Sequence, residues 1–252
     1  MKFQVDGRVE RYKARLVAKG VNKRELIFLY TYSPVAKMTI VRVLLSIAAV
    51  KQWHLHQLDV DNVFLHGDLN EEVYMQLPPG FFNPNDPPVC KLKKSLYGLK
   101  QASRQWFSKL SSSLLHFGFI QAKSNLILFI KQTSNSLMTV LIYVGDVIIA
   151  SNDIAKIATV KQFLRVSFPI QDLGELKYFL GIEIARSAEG IVLCQIKYAL
   201  DILADSSFSS AKPVSFPMES TLKLTAHDNC HTRTSRRPVK KLISRLEKRT
   251  DI

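Results

Sequence analysis

The chain has 252 residues, 47% of them hydrophobic, which bury a sizeable core as one large domain or two to three subdomains and exclude a disordered chain. No apolar run approaches the roughly 18 residues of a membrane span, Met1–Gly7 has no apolar signal core, and Cys90, Cys194 and Cys230 form no disulfide framework. These features predict an intracellular protein, cytoplasmic or nuclear, neither secreted nor membrane-bound. The net charge of +14 sits at the ends: residues 1–50 hold ten Lys/Arg against three Asp/Glu, and residues 220–252 nine against three, which points to a polyanion partner such as nucleic acid.

Glu10–Gly20 alternates basic and apolar residues and predicts a strand with Lys13, Arg15 and Lys19 on a solvent face. Residues 21–32 are more apolar, with a run at Leu26–Tyr30. From Thr39 to Trp53, Ile40, Val43, Leu44, Ile47, Ala48 and Val50 fall at helical spacing, with Thr39 as the cap. Trp53 and Leu55 are assigned to the core. Gln57–Gly67 then places Asp59 at the end of an apolar strand. Asp61, two residues on, is not expected to substitute for another ligand.

Asp68–Phe81 reads as a turn, a short strand and a Pro-Pro-Gly stop, and 82–88 as a Pro-rich loop. Lys91–Trp106 leads into a helix with Trp106, Phe107, Leu110, Leu114, Leu115 and Phe117 on its apolar side, ending at Gly118. Taken alone, Lys100 and Arg104 make an i,i+4 basic pair on a solvated face. Leu141–Ala150 predicts a tight β-hairpin with Gly145-Asp146 at its tip and both faces buried. A carboxylate on such a rigid hairpin is well placed to hold a metal. Residues 153–168 suit a helix with Ile154, Ile157, Val160 and Leu164 on one face. Pro169 is expected to remove a ladder donor. The basic tail 225–252 is expected to pack loosely, and its His227–His231 stretch lacks the second cluster a zinc site needs.

Several of these stretches resemble reverse transcriptases of Ty1/copia-type LTR retrotransposons. That family typically shows LDV-x-x-A-F-L-x-G at a strand end, here from Leu58, and Y-V-D-D in a hairpin, here Tyr143-Val144-Gly145-Asp146. K-A-R-L-V-A-K-G (Lys13–Gly20), S-L-Y-G-L-K-Q-A-x-R-x-W (Ser95–Trp106) and D-L-G-x-L-K-Y-F-L-G-I-E-I (Asp172–Ile184) also match. The likeness runs over roughly residues 8–224. The chain departs from the pattern at 21–32, at Asn125 and Leu126, and at Gly145, where the family carries a metal-binding Asp.

The resemblance implies an α+β fold: a right-hand polymerase palm with a central antiparallel sheet flanked by helices, plus fingers and a partial thumb. Fingers would span 1–50 and 67–101, palm 51–66 and 102–190, partial thumb 191–224, and a divergent basic tail 225–252. The implied activity is RNA-directed DNA polymerisation with two Mg²⁺ ions, taking an RNA template, a DNA primer and deoxynucleotide triphosphates. The implied metal ligands are Asp59, the Val60 carbonyl and Asp146. Lys13, Arg15, Phe64, Gly98, Lys100 and Gln101 would bind nucleotide, Phe64 by excluding a ribose 2′-hydroxyl and Gly98 by letting backbone approach the substrate. Arg104, Tyr143, Phe179, Leu180 and Gly181 would contact template and primer, the last three on a hairpin over 172–184. Glycine suits a tight turn, so the expectation is a retained fold with a weakened metal site. A non-catalytic nucleic-acid-binding remnant and a pseudogene product without function are the other readings.

Overall fold

The computed structural model describes residues 2–3, 9–11, 16–18, 37–77, 80, 89–206 and 209. Lys13, Arg15, the 21–32 segment, residues 82–88, residues 210–224 and the 225–252 tail lie outside them. The chain divides into two compact units, Met1–Leu176 and Lys177–Ile252.

The first unit is mixed α+β. Its strands β3 (His54–Val60), β6 (Ile120–Gln121), β7 (Leu128–Gln132), β8 (Leu137–Tyr143), β9 (Asp146–Ser151) and β10 (Ile170–Glu175) form an antiparallel six-stranded sheet in the order β10-β3-β9-β8-β7-β6. The apolar runs of β8 and β9 are buried on both faces, as their lack of alternation predicts. On one face Leu58, Val60, Val140, Ile142, Val147 and Ile149 pack with residues of α2 (Ala102–His116) and α3 (Ile154–Ser167). Leu141, Ile148 and Ala150 alternate with them and are equally buried. Strand β4 (Tyr74–Gln76) pairs with β5 (Val89–Lys91), and β1 (Lys2–Phe3) with β2 (Val9–Arg11), in two separate ladders.

Several local expectations need correction. Helix α1 runs Met38–Val50 with Lys37 as its N-cap and no side-chain cap, so Thr39 lies inside the first turn. Helix α2 buries Trp106, Leu110 and Leu114 but leaves Leu115 exposed. It stops at Gly118, which adopts φ +90° and donates its N–H to the Leu115 carbonyl. Asp153 caps α3 by accepting from the backbone of Ala155 and Lys156. The buried stripe of α3 is Ile157, Val160, Lys161 and Leu164, while Ile154 is 48% exposed. Lys161 can be buried because its Nζ donates to Asp172 Oδ1 at 2.8 Å and lies 2.8 Å from His56 Nδ1. Arg165 completes the group on Asp172 Oδ2 at 3.0 Å.

Pro169 removes no ladder donor. It precedes β10, and its carbonyl accepts from the Asp61 N–H at 3.0 Å. Phe168 before it is extended, the conformation a following proline favours, and there the helix gives way to the strand. Nor do residues 172–184 make one hairpin. Asp172 belongs to β10 at the margin of the large sheet.

The second unit carries a three-stranded sheet of β11 (Tyr178–Phe179), β12 (Ile182–Arg186) and β13 (Ile191–Cys194), followed by α4 (Ile196–Asp205). Leu180 and Gly181 form the β11–β12 turn with φ of +50° and +75°, the left-handed pair that a two-residue hairpin favours. Among the described residues no helix is long and apolar enough to cross a membrane.

Candidate active site

Asp59 and Asp146 face each other across β3 and β9 as register partners. Opposed residues in an antiparallel pair lie about 4.5–5.5 Å apart at Cα, so the two carboxylates share one end of the sheet on one face. The same row continues to Tyr143 on β8 and Gln171 on β10. Strand alternation thus assembles the row Tyr143–Asp146–Asp59–Gln171 from four strands, two of them the arms of one hairpin.

The hairpin is placed one residue earlier than expected. Its two-residue turn is Val144-Gly145, and Asp146 is already the first residue of β9. The residue with a left-handed backbone is Val144, at φ +54°. Such a φ is a genuine outlier for a β-branched side chain and requires support from its surroundings. Two contacts supply it. Trp106 Nε1, from α2, donates to the Val144 carbonyl at 2.6 Å, and the Val60 N–H donates to the Gly145 carbonyl at 2.9 Å. The turn is therefore tied both to the helix beneath it and to the strand carrying Asp59.

Gly145 has no positive φ, so its backbone demands no glycine. A Cβ built there would lie 3.5 Å from Asp59 Oδ1, 3.5 Å from the Val60 carbonyl oxygen and 3.0 Å from Val63 Cγ1. A side chain at 145 would thus point at Asp59, and the one neighbour crowding it is Val63.

Asp146 is held above the usual carboxylate range, first by burial and also by the Asp59 charge, with a hydrogen bond from Gln57 opposing the rise. Tyr143 is likewise pushed up, by burial and by the charge of Asp146. A raised folded-state value means that Asp146 supports folding fully below its unfolded value, and that this support is lost as pH rises through the folded one. Asp146→Asn is therefore expected to stabilise the metal-free chain at pH 8 by about 0.5–2 kcal/mol. The gap should close as the pH is lowered through the acid range. Urea unfolding in EDTA measures this, and a variant less stable than the parent at pH 8 would refute it.

The donors at this end are all oxygens: two carboxylates and the Val60 carbonyl. That set suits a hard dication such as Mg²⁺. Among the described residues no group of three or more His, Cys, Asp or Glu comes together, so two carboxylates supply the charge here.

The remaining candidates lie on other elements. Phe64, on a 3₁₀ turn at Val63–His66, packs edge-on against Tyr97 with ring centroids 4.9 Å apart. Gly98 has φ +90°, and a Cβ there would lie 2.8 Å from the Ala18 carbonyl oxygen. The protein's own backbone thus requires glycine there, where the Ala18 N–H donates to the Tyr97 carbonyl at 2.7 Å. Lys100 and Gln101 are half-buried just before α2. Arg104 is not on a solvated face; it is held by Glu71 at 2.5 Å, with both side chains about one-third exposed. Asp61 sits in the turn after β3, where its carbonyl lies 3.0 Å from His66 Nε2. Phe179, Leu180 and Gly181 lie in the second unit, with Phe179 buried and the other two forming the turn.

Sequence reasoning passed over Gln57. It is 6% exposed, and its Nε2 donates to Asp146 Oδ1 at 2.9 Å. The available signal was an amide two residues before Asp59, hence on the same strand face.

A helix-backed antiparallel sheet thus brings two in-register carboxylates together beside a tight hairpin. A family model described as reverse transcriptase (RNA-dependent DNA polymerase) matches residues 2–220, and the chain belongs to that family. Its relatives are Pol polyproteins of Ty1/copia-type retrotransposons. The retrovirus-related Pol polyprotein from transposon RE2 of Arabidopsis thaliana is 45% identical over 228 residues, which cover 90% of this chain and 16% of that polyprotein. The Pol polyprotein from transposon TNT 1-94 of Nicotiana tabacum is 42% identical over 89% of this chain and 17% of its own length. The transposon Ty1-H Gag-Pol polyprotein of Saccharomyces cerevisiae is 31% identical over 69% of this chain and 10% of its own length. The chain spans about one-sixth of the two plant polyproteins.

Proposed function

We propose that this reverse transcriptase domain is built for RNA-directed DNA synthesis by two-metal nucleotidyl transfer and that Gly145 leaves it catalytically impaired. The observation that carries the proposal is the position of the missing side chain. A Cβ at 145 would stand 3.5 Å from Asp59 Oδ1, beside the Asp59–Asp146 pair, and glycine supplies no carboxylate there.

In this reading the six-stranded sheet with α2 and α3 is the palm, the segments around it are fingers, and the chain after 190 begins a thumb. Asp59, Asp146 and the Val60 carbonyl hold the cations. Bound there, divalent cations would stabilise the negative charge that develops as a nucleotidyl group is transferred. Phe64, braced by Tyr97, forms the wall that excludes a ribose 2′-hydroxyl. Lys100 and Gln101, with Lys13 and Arg15, meet the triphosphate, where cations neutralise charge and fix position. Tyr143, Arg104 and the Phe179–Gly181 turn contact template and primer. Pairing with Glu71 leaves Arg104 a weaker phosphate ligand than a free guanidinium would be.

The same missing carboxylate, with the basic ends of the chain, also favours a second reading, in which the domain binds nucleic acid without extending it. Primer extension on an RNA template with Mg²⁺ or Mn²⁺ tests both readings. The parent is expected to extend at or near the level of Asp59→Ala. Robust extension by the parent, abolished by Asp59→Ala, would overturn the claim of impairment.

A further inference from the structure

We propose that Gln57 is a positioning residue for Asp146, fixing the hairpin carboxylate in the orientation that receives a divalent cation. This rests on Asp59 and Asp146 being cation ligands.

The argument begins with the strand. Alternation along β3 puts Gln57 and Asp59 on one face, and the register sets Gln57 opposite Ile148 while Asp59 opposes Asp146. Asp146 is thus the diagonal neighbour of Gln57, at a span of about 7–8 Å that only a long side chain crosses. Asparagine at 57 would be one methylene short.

Burial makes the contact obligatory. Gln57 is almost fully buried, with Leu58 and Ile148 beside it in strand and ladder. An amide there without a partner would pay its desolvation in full. Its Nε2 donates to Asp146 Oδ1 at 2.9 Å. A carboxylate accepts only, so the amide group is held donor-first.

That bond commits Oδ1, stops rotation of the carboxylate and leaves Oδ2 as the oxygen turned to a cation. Asp146 has special need of this. Its neighbour at 145 has no side chain, so no second hairpin carboxylate shares the load. Outer groups that orient a metal-binding side chain typically govern affinity by about 10–100-fold.

The test is Mn²⁺ binding by the full chain at pH 8, read as loss of the free-ion electron paramagnetic resonance signal. Gln57→Met keeps length and volume but removes the donor. It is expected to weaken Mn²⁺ binding by about 10–100-fold at a temperature where circular dichroism reports it folded. In an Asp146→Asn background the same change should have no further effect, because Gln57 acts through Asp146. A purely structural role would lower the melting temperature and leave Mn²⁺ affinity of the folded variant unchanged, and that outcome overturns the proposal while the metal site stands. If parent and Asp59→Asn bind Mn²⁺ equally, the metal site itself fails and the proposal with it. Should Gln57→Met not fold, ¹⁵N-glutamine labelling of the unmodified chain decides. The Gln57 side-chain amide is expected to broaden as Mn²⁺ is added before those of all glutamines other than Gln171, which stands opposite Asp59, and broadening no earlier than those refutes the assignment.

Discussion

Gly145→Asp together with Val63→Ala is expected to raise primer extension on the order of 10²–10³-fold above the parent, and Gly145→Asp alone by much less. The carboxylate restored at 145 would stand beside Asp59, since a Cβ there lies 3.5 Å from Asp59 Oδ1. It would meet Val63, whose Cγ1 is 3.0 Å from the same Cβ. Val63 is buried at the start of the 3₁₀ turn and packs in the main core, so it has little room to yield. The family motif carries Ala where this chain has Val63, and the valine methyls occupy the side of the site that Gly145 vacates. The two positions are therefore coupled, as residues in contact are. Single-turnover extension by the parent, both single variants and the double variant gives the coupling directly. Equal recovery by Gly145→Asp alone and by the double variant would show that Val63 moves aside freely.

Trp106→Ala is expected to cost about 3–5 kcal/mol, one of the largest losses available in this fold. Trp106 is fully buried at the centre of the main core and stands edge-on to Phe168, with ring centroids 5.2 Å apart. Trp106→Phe separates its two roles. It keeps most of the packing but deletes the donor to the Val144 carbonyl, leaving a half-buried acceptor and a valine at φ +54° without its main restraint. That loss should be about 1–3 kcal/mol. Val144→Gly should return part of it, because glycine accepts the left-handed backbone without strain. Urea unfolding measures the totals. Hydrogen exchange at the Asp146 amide reports whether the turn loosens first; unchanged protection there in Trp106→Phe would contradict the role given to the indole.

Much of this arrangement could be read from the chain because apolar period and turn residues agree with it. The runs at 137–143 and 146–151 have no other stable use than doubly buried strands. The helices at 102–116 and 154–167 carry an apolar stripe and clear stops. The convergence of Asp59 and Asp146 follows from two strand ends that must pair. What sequence missed was decided by tertiary contacts. The hairpin turn moved by one residue because Trp106 and Val60 hold Val144 where its own preference would not. Lys161 took a core position because Asp172 and His56 stand opposite it. Gly98 looked like a ligand-facing glycine, yet the neighbour that excludes a side chain there is Ala18. Gln57 was passed over because its partner lies 89 residues away.

The two ends of the six-stranded sheet have a consequence for behaviour in solution. β6, at one margin, is two residues long; β10, at the other, shifts register between Asp172 and Gly174. An unpaired strand margin offers its free N–H and C=O groups to any extended segment that drifts alongside, and long, flat margins template aggregation. Here one margin is too short to template a partner and the other is kinked by the irregularity at Leu173. Backbone geometry thereby disfavours edge-to-edge pairing of this sheet between copies, a safeguard that high salt, which screens the repulsion of the net positive charge, leaves in place.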